Sequence, residues 1–186
     1  MAKLIKYVDK SGTTKSFDEL FHIDELTGIN VYMSLEHHYI HEGNHFFVSG
    51  FETEASAGTI VFGVTTHNKE AHMTFEVSGT SQLEMYIYED ATITDGTPAT
   101  PVNNRRSSPN KSTLTIVKDP SISVAGTLRY SQSSGLAGSP PTSGDLTGLH
   151  DREREIVLNT NTTYTFNIIS RDNNNVISYI GEWYEV

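Results

Sequence analysis

Residues 41–45 read HEGNH, which satisfies H-E-x-x-H, the zinc-peptidase pattern of two imidazole ligands and a glutamate base. His37 and His38 lie just upstream. The pattern carries a mechanical requirement: His41 and His45 reach one metal ion only when an α-helix places positions i and i+4 on one face. Between them stand Gly43 and Asn44, both poor in a helix interior, with glycine costing about 1 kcal/mol relative to alanine. The residues that follow, HFFVSGFE, are aromatic, β-branched and bounded by glycine, a strand composition. Upstream, VYMSLEHHYI also leans toward strand and carries no 3.6-residue apolar stripe. A third ligand would be needed as well, and His67, His72 and His150 stand at no recognisable spacing. The expectation is a turn at Gly43-Asn44 that enters a strand, and no metal site.

The other chemistry-bearing residues give weaker patterns. Asp151 with Glu153, or Glu89 with Asp90, would serve a glycosidase only if held at a set separation across a cleft. Such carboxylates more commonly sit on a solvated strand edge. There is no G-x-S-x-G nucleophile motif and no phosphate-cradling glycine loop. The Asn161-Thr162-Thr163 sequon matters only in a secreted chain. His72 reads as a partly buried packing residue, and Trp183 and Tyr184 as core and rim aromatics of a last strand. The aromatic residues are dispersed and nominate no sugar-stacking platform. With no catalytic or cofactor constellation, the chain is expected not to be an enzyme.

The 186 residues suffice for one domain with a real core, or for one domain and an arm. No cysteine is present, which excludes disulfides, thiolate metal sites and cysteine catalysis. No apolar run is long enough to span a bilayer, and the opening MAKLIKYVDKSG lacks the apolar region of a secretory signal. The net charge of −10 opposes nucleic-acid binding, which needs a basic face. Arg105-Arg106, the one basic cluster, reads as a solvated turn.

The elements that must position these residues are mostly strands. AHMTFEVSG (71–79) alternates Met73, Phe75 and Val77 against His72, Thr74 and Glu76. QLEMYIYED (82–90) alternates Leu83, Met85 and Ile87 against Glu84, Tyr86 and Tyr88. With HFFVSGFE, GTIVFGVTT, STLTIVKD, VAGTLRYS, REIVLNT, TYTFNIIS and VISYIGEWYEV, about nine short strands follow one another. They are separated by Gly-, Asn- and Pro-rich turns, as in a sandwich or barrel. SQSSGLAGSPPTSGDLTG (131–148) reads as an exposed, mobile loop. The first forty residues differ: Phe17, Leu20 and Phe21 approximate one helical turn within an arm that carries Ile23 and Leu26.

IHEGNHFF (40–47), AHMTFEV (71–77), YIYEDATITDGTPATPVNNRRSS (86–108), GTLRY (126–130), REIVLNTNTTYTFNI (154–168) and EWYEV (182–186) together resemble a group of tailed-bacteriophage head proteins encoded near the major capsid protein. The similar pattern there runs I-H-E-G before a strand, a Y-E-G strand end, G-T-x-x-T-P-x-N-x-N-R-x-S, I-L-K-x-N-T-x-Y and a closing W-Y-E. Asp90 stands where that pattern has glycine, and Val157-Leu158-Asn159 where it has I-L-K. The resemblance covers about three quarters of the chain, from residue 40 onward.

It implies a decoration, or cement, protein on the outer capsid surface that binds the major capsid protein and forms a homotrimer. The fold expected is all-β, an antiparallel, jelly-roll-like sandwich of eight to nine strands (40–186) behind an N-terminal arm (1–39). Phe17, Leu20, Phe21 and Ile23 are the candidate capsid or subunit contacts. No cofactor, nucleic acid or membrane is expected as a partner. The alternative is a virion-associated carbohydrate- or receptor-binding module on the same fold.

Overall fold

The computed structural model describes residues 6–8, 14–16, 22–23, 30–31, 34–135, 145–149 and 155–186. The chain divides into two compact units, Met1–His38 and Tyr39–Val186. In the first, β1 (Lys6–Val8) pairs with β2 (Thr14–Ser16) and β3 (His22–Ile23) with β4 (Asn30–Val31), both antiparallel. Ile23 lies in β3. Phe17, Leu20 and Phe21, and the helical turn expected there, lie outside the described residues.

A helix, α1 (Leu35–Glu42), follows where a strand was expected, and none of its residues is buried. It is made by its ends rather than by an apolar stripe. Ser34 is the N-cap: its side-chain oxygen accepts from His37 N at 3.2 Å and its carbonyl from His38 N at 3.0 Å. Gly43, at φ 75°, supplies the left-handed stop.

The second unit is an all-β antiparallel sandwich. Its strands are β5 (His45–Glu54), β6 (Thr59–Thr65), β7 (Ala71–Gly79), β8 (Leu83–Glu89), β9 (Thr92–Thr94), β10 (Thr97–Pro98), β11 (Val102–Asn103), β12 (Thr115–Lys118), β13 (Ser121–Val124), β14 (Thr127–Ser134), β15 (Asp145–Leu149), β16 (Ile156–Leu158), β17 (Thr163–Ser170) and β18 (Asn175–Glu185). The first six-stranded sheet runs β10-β12-β6-β17-β8-β14. The second runs β11-β5-β18-β7-β15, with β16 also paired to β7. A separate pair, β9-β13, completes the unit. Every strand pair is antiparallel. All nine strands read from the sequence are present, and the additional ones are short.

The period-two alternation fills the core as expected. Met73, Phe75 and Val77 of β7 and Leu83, Met85 and Ile87 of β8 are buried, and they meet Ile60, Phe62, Phe166, Ile168 and Trp183. Aromatic pairs tie the two sheets: Phe62 with Phe75 at 5.8 Å and Phe75 with Phe166 at 5.0 Å between ring centroids. At one end Lys118 of β12 reaches Glu52 of β5 at 2.5 Å across the sheets.

The stretch 131–148, expected to be loop, is strand at both ends. Residues 131–134 continue β14 against β8, and 145–148 belong to β15 against β7. Backbone pairing to an already ordered strand overrides the low strand propensity of Ser and Gly.

Candidate functional site

The helix stops at Glu42, so His41 and His45 of HEGNH lie on different elements. His41 is exposed in the last helical turn, and His45 opens β5 fully buried. The Asn104 side-chain amide donates to His45 Nδ1 at 2.8 Å, which occupies that lone pair and leaves the ring proton on Nε2. The i, i+4 geometry of a zinc peptidase is therefore not formed. Among the described residues no three His, Asp or Glu side chains converge on a metal position. His150, Asp151 and Glu153 lie outside the described residues.

The segment is instead one half of a polar joint whose other half is the loop after β11. Asn103 Nδ2 donates to the Gly43 carbonyl at 2.8 Å, and Asn110 Nδ2 to Asn44 Oδ1 at 3.1 Å. The Arg105 guanidinium donates to the His41 carbonyl. Arg105 is exposed in a turn, as expected, and from there it also caps the helix C-terminus, where carbonyls lack intrahelical partners and a cation is favoured. A Cβ on Gly43 would stand 2.2 Å from Ser108 Oγ, so both the left-handed φ and the close approach require glycine.

The last strand enters the same joint. Glu185 N donates to the Asn44 carbonyl at 3.3 Å. The Glu185 carboxylate, 3% exposed, accepts from Ser112 Oγ (2.5 Å), Thr113 N (3.0 Å), Thr113 Oγ1 (2.7 Å) and Trp183 Nε1 (3.1 Å). These four donors satisfy the oxygens of a carboxylate that burial has taken out of water. Tyr184 is sandwiched between Tyr39 at 4.4 Å and His72 at 4.6 Å. His72 is thus a packing residue, as read from the sequence, and its Nδ1 lies 2.8 Å from Glu155 Oε1.

At the β8 terminus a second buried carboxylate, Glu89, accepts from Tyr164 Oη at 2.9 Å, Asn159 Nδ2 at 2.8 Å and Arg129 Nε. The Tyr164 bond, helped by Arg129 and Asn159 against the opposing effect of burial, holds its carboxyl below the usual carboxylate range. Arg129, half-exposed itself, reaches Glu89 at the register shift between Leu128 and Tyr130, a bulge that re-aims the extra residue. Asp90 is exposed while Glu89 is buried, so these two adjacent carboxyls do not form a pair across a cleft. Asp90 has φ 62°, a left-handed conformation at the position where the resembled pattern carries glycine.

Two outer sheet faces present the remaining candidate binding groups. On the second sheet Phe51 of β5 is 74% exposed, with Ser178 of β18 opposite and Val176 and Ile180 two residues to either side. Glu76, Ser78, Ser178, Tyr179 and Ile180 bound a shallow concavity of about 200 Å³ beside it. On the first sheet Tyr86 and Tyr88 of β8 stack side by side, centroids 6.4 Å apart and planes inclined 27°. The sequence placed both tyrosines on the outer face. Their i, i+2 spacing was the available signal for a platform, although the aromatics as a whole looked dispersed. No protein-family model and no curated protein matches the chain.

Proposed function

We propose that this chain is a structural virion protein that decorates and stabilises the outer surface of a tailed-phage capsid by binding the major capsid protein as a homotrimer. The observation that carries the reading is the joint. Three of the segments that resemble the phage head proteins, IHEGNH, the VNNRRSS loop and EWYEV, are far apart in sequence and interlock through Gly43, Asn44, Asn103, Asn104, Arg105 and Glu185. Their residue types are those that such a joint demands, which supports the resemblance. The left-handed Asp90 at a glycine position of the pattern supports it independently.

A cement protein works by contact, and Phe51 with Val176 and Ile180 offers an apolar contact on a rigid sheet face. Phe17, Leu20, Phe21 and Ile23 are proposed as further contacts to the capsid or a neighbouring subunit. The net charge of −10 keeps a densely displayed protein soluble.

The test is co-sedimentation of the full chain with capsids of its source phage that lack it, at two salt concentrations. Saturation at a fixed ratio to the major capsid subunit is the expected result. Burying a phenylalanine is worth roughly 1.5–3 kcal/mol, so Phe51→Ser should weaken binding roughly 10- to 100-fold. The same assay without residues 1–39 reads the contribution of the arm. No sedimentation with capsids at either salt concentration, with the chain folded, overturns the reading.

A further inference from the structure

On the outer face of the first sheet, Glu84, Tyr86 and Tyr88 form a row along β8, a strand paired on both sides, to β17 and to β14. Ser133 of β14 lies opposite Glu84, and Ser131 opposite Tyr86. Both serines are exposed, and with Glu84 and Tyr86 they bound a concavity of about 190 Å³. Glu84 is fixed in place: Tyr86 Oη donates to its Oε2 at 2.6 Å, and Arg171 Nη2 to the same oxygen at 2.5 Å. Both bonds fall on one oxygen, which leaves Oε1 as an acceptor.

We infer that this face is a binding site for a neutral sugar ring, with the apolar face of the ring on Tyr86 and Tyr88 and its hydroxyls on Glu84, Ser131 and Ser133. Tyrosine offers a flat, amphipathic surface at low conformational cost. A sugar ring has the matching form, with C–H groups on one face and hydroxyls around the rim. A carboxylate that only accepts and hydroxyls that both donate and accept suit a polyol edge. The concavity is smaller than the roughly 300–1,000 Å³ of sites that engulf a ligand, so it takes one ring laid on from outside.

The arrangement argues against other ligands. Phosphate-bearing and acidic ligands meet a carboxylate on a chain of net charge −10. Proline-rich peptides dock on aromatic grooves, where a hydroxyl donor to a peptide carbonyl would strengthen them, and the Tyr86 hydroxyl is already committed to Glu84. The site stands on the opposite sheet from Phe51 and does not depend on capsid binding.

Saturation-transfer NMR on the full chain tests it, with millimolar maltose, cellobiose, lactose and N,N′-diacetylchitobiose as probes. A hyaluronan disaccharide and a decaproline peptide serve as comparisons. Transfer to the ring protons of at least one neutral disaccharide is expected. Tyr86→Ala and Tyr88→Ala should each weaken that binding by about tenfold or more. Ser131→Trp, which keeps both tyrosines and fills the concavity, should abolish it, with circular dichroism verifying the fold of each variant. No transfer to any of the four sugars, transfer that survives in folded Tyr86→Ala, Tyr88→Ala and Ser131→Trp proteins, or binding of decaproline or the hyaluronan disaccharide in their place would each overturn the inference.

Discussion

Tyr164 is 1% exposed on β17, where its hydroxyl donates to Glu89 and accepts from Asn159 N at 2.9 Å. Burial pushes its pKa up to about 12, with the Glu89 carboxylate adding to the shift. An unfolded tyrosine releases its proton near pH 10. Between pH 10 and 12 the unfolded state therefore binds fewer protons than the folded state, and stability falls as pH rises. The expected loss from this group is roughly 2–3 kcal/mol, complete above pH 12. Urea unfolding measured from pH 9 to 12 checks it: Tyr164→Phe should start less stable, having lost the bond to Glu89, and should show a shallower decline. Burial of Tyr164 follows from the alternation of TYTFNIIS, which the sequence makes plain. Its partnership with Glu89 does not, because Asn159, Arg129 and Glu89 converge only through the pairing of β8, β14 and β17. The same holds for His45, whose partner Asn104 lies in a distant loop.

Strands with a buried face were legible because their signal is local: the inward residues of β7 and β8 are those that the alternation names. Helix α1 was not, since no residue of LEHHYIHE is fully buried and its C-terminal cap includes Arg105, a residue more than sixty positions away. The short strands escaped for a related reason. β10 includes Pro98 and is held at a sheet edge by β12 alone, and β11 pairs only with β5. The end of β8 offers a direct test of an element boundary. Asp90 turns the chain with φ 62°, which costs an L-residue side-chain strain that glycine does not meet. Asp90→Gly should raise stability by about 0.5–1 kcal/mol, read as a higher urea midpoint with an unchanged slope. An Asp90→Val variant, β-branched at a left-handed position, should fall in the opposite direction.

At the scale of the molecule, the single tryptophan is a reporter for the sandwich as a whole. Trp183 is fully buried, lies 6.1 Å from Phe46 between ring centroids and is bound through Nε1 to Ser112 and Glu185. If the two sheets form one cooperative core, its emission shift and the far-ultraviolet β signal should change at the same urea concentration. Separate midpoints would mean that the sheets part independently. The strand that carries Trp183 also sets an order of assembly. β18 lies between β5 and β7, with Tyr184 across from His45 on one side and from His72 on the other. A ribosome delivers β5 and β7 long before it delivers β18. Until residue 185 has cleared the exit tunnel, the second sheet has a vacant central track and both flanking strands expose unpaired edges. The growing chain must carry those two open edges while everything between β7 and β18 is made, and a translational pause shortly before β18 would prolong the interval in which they can pair with the wrong partner.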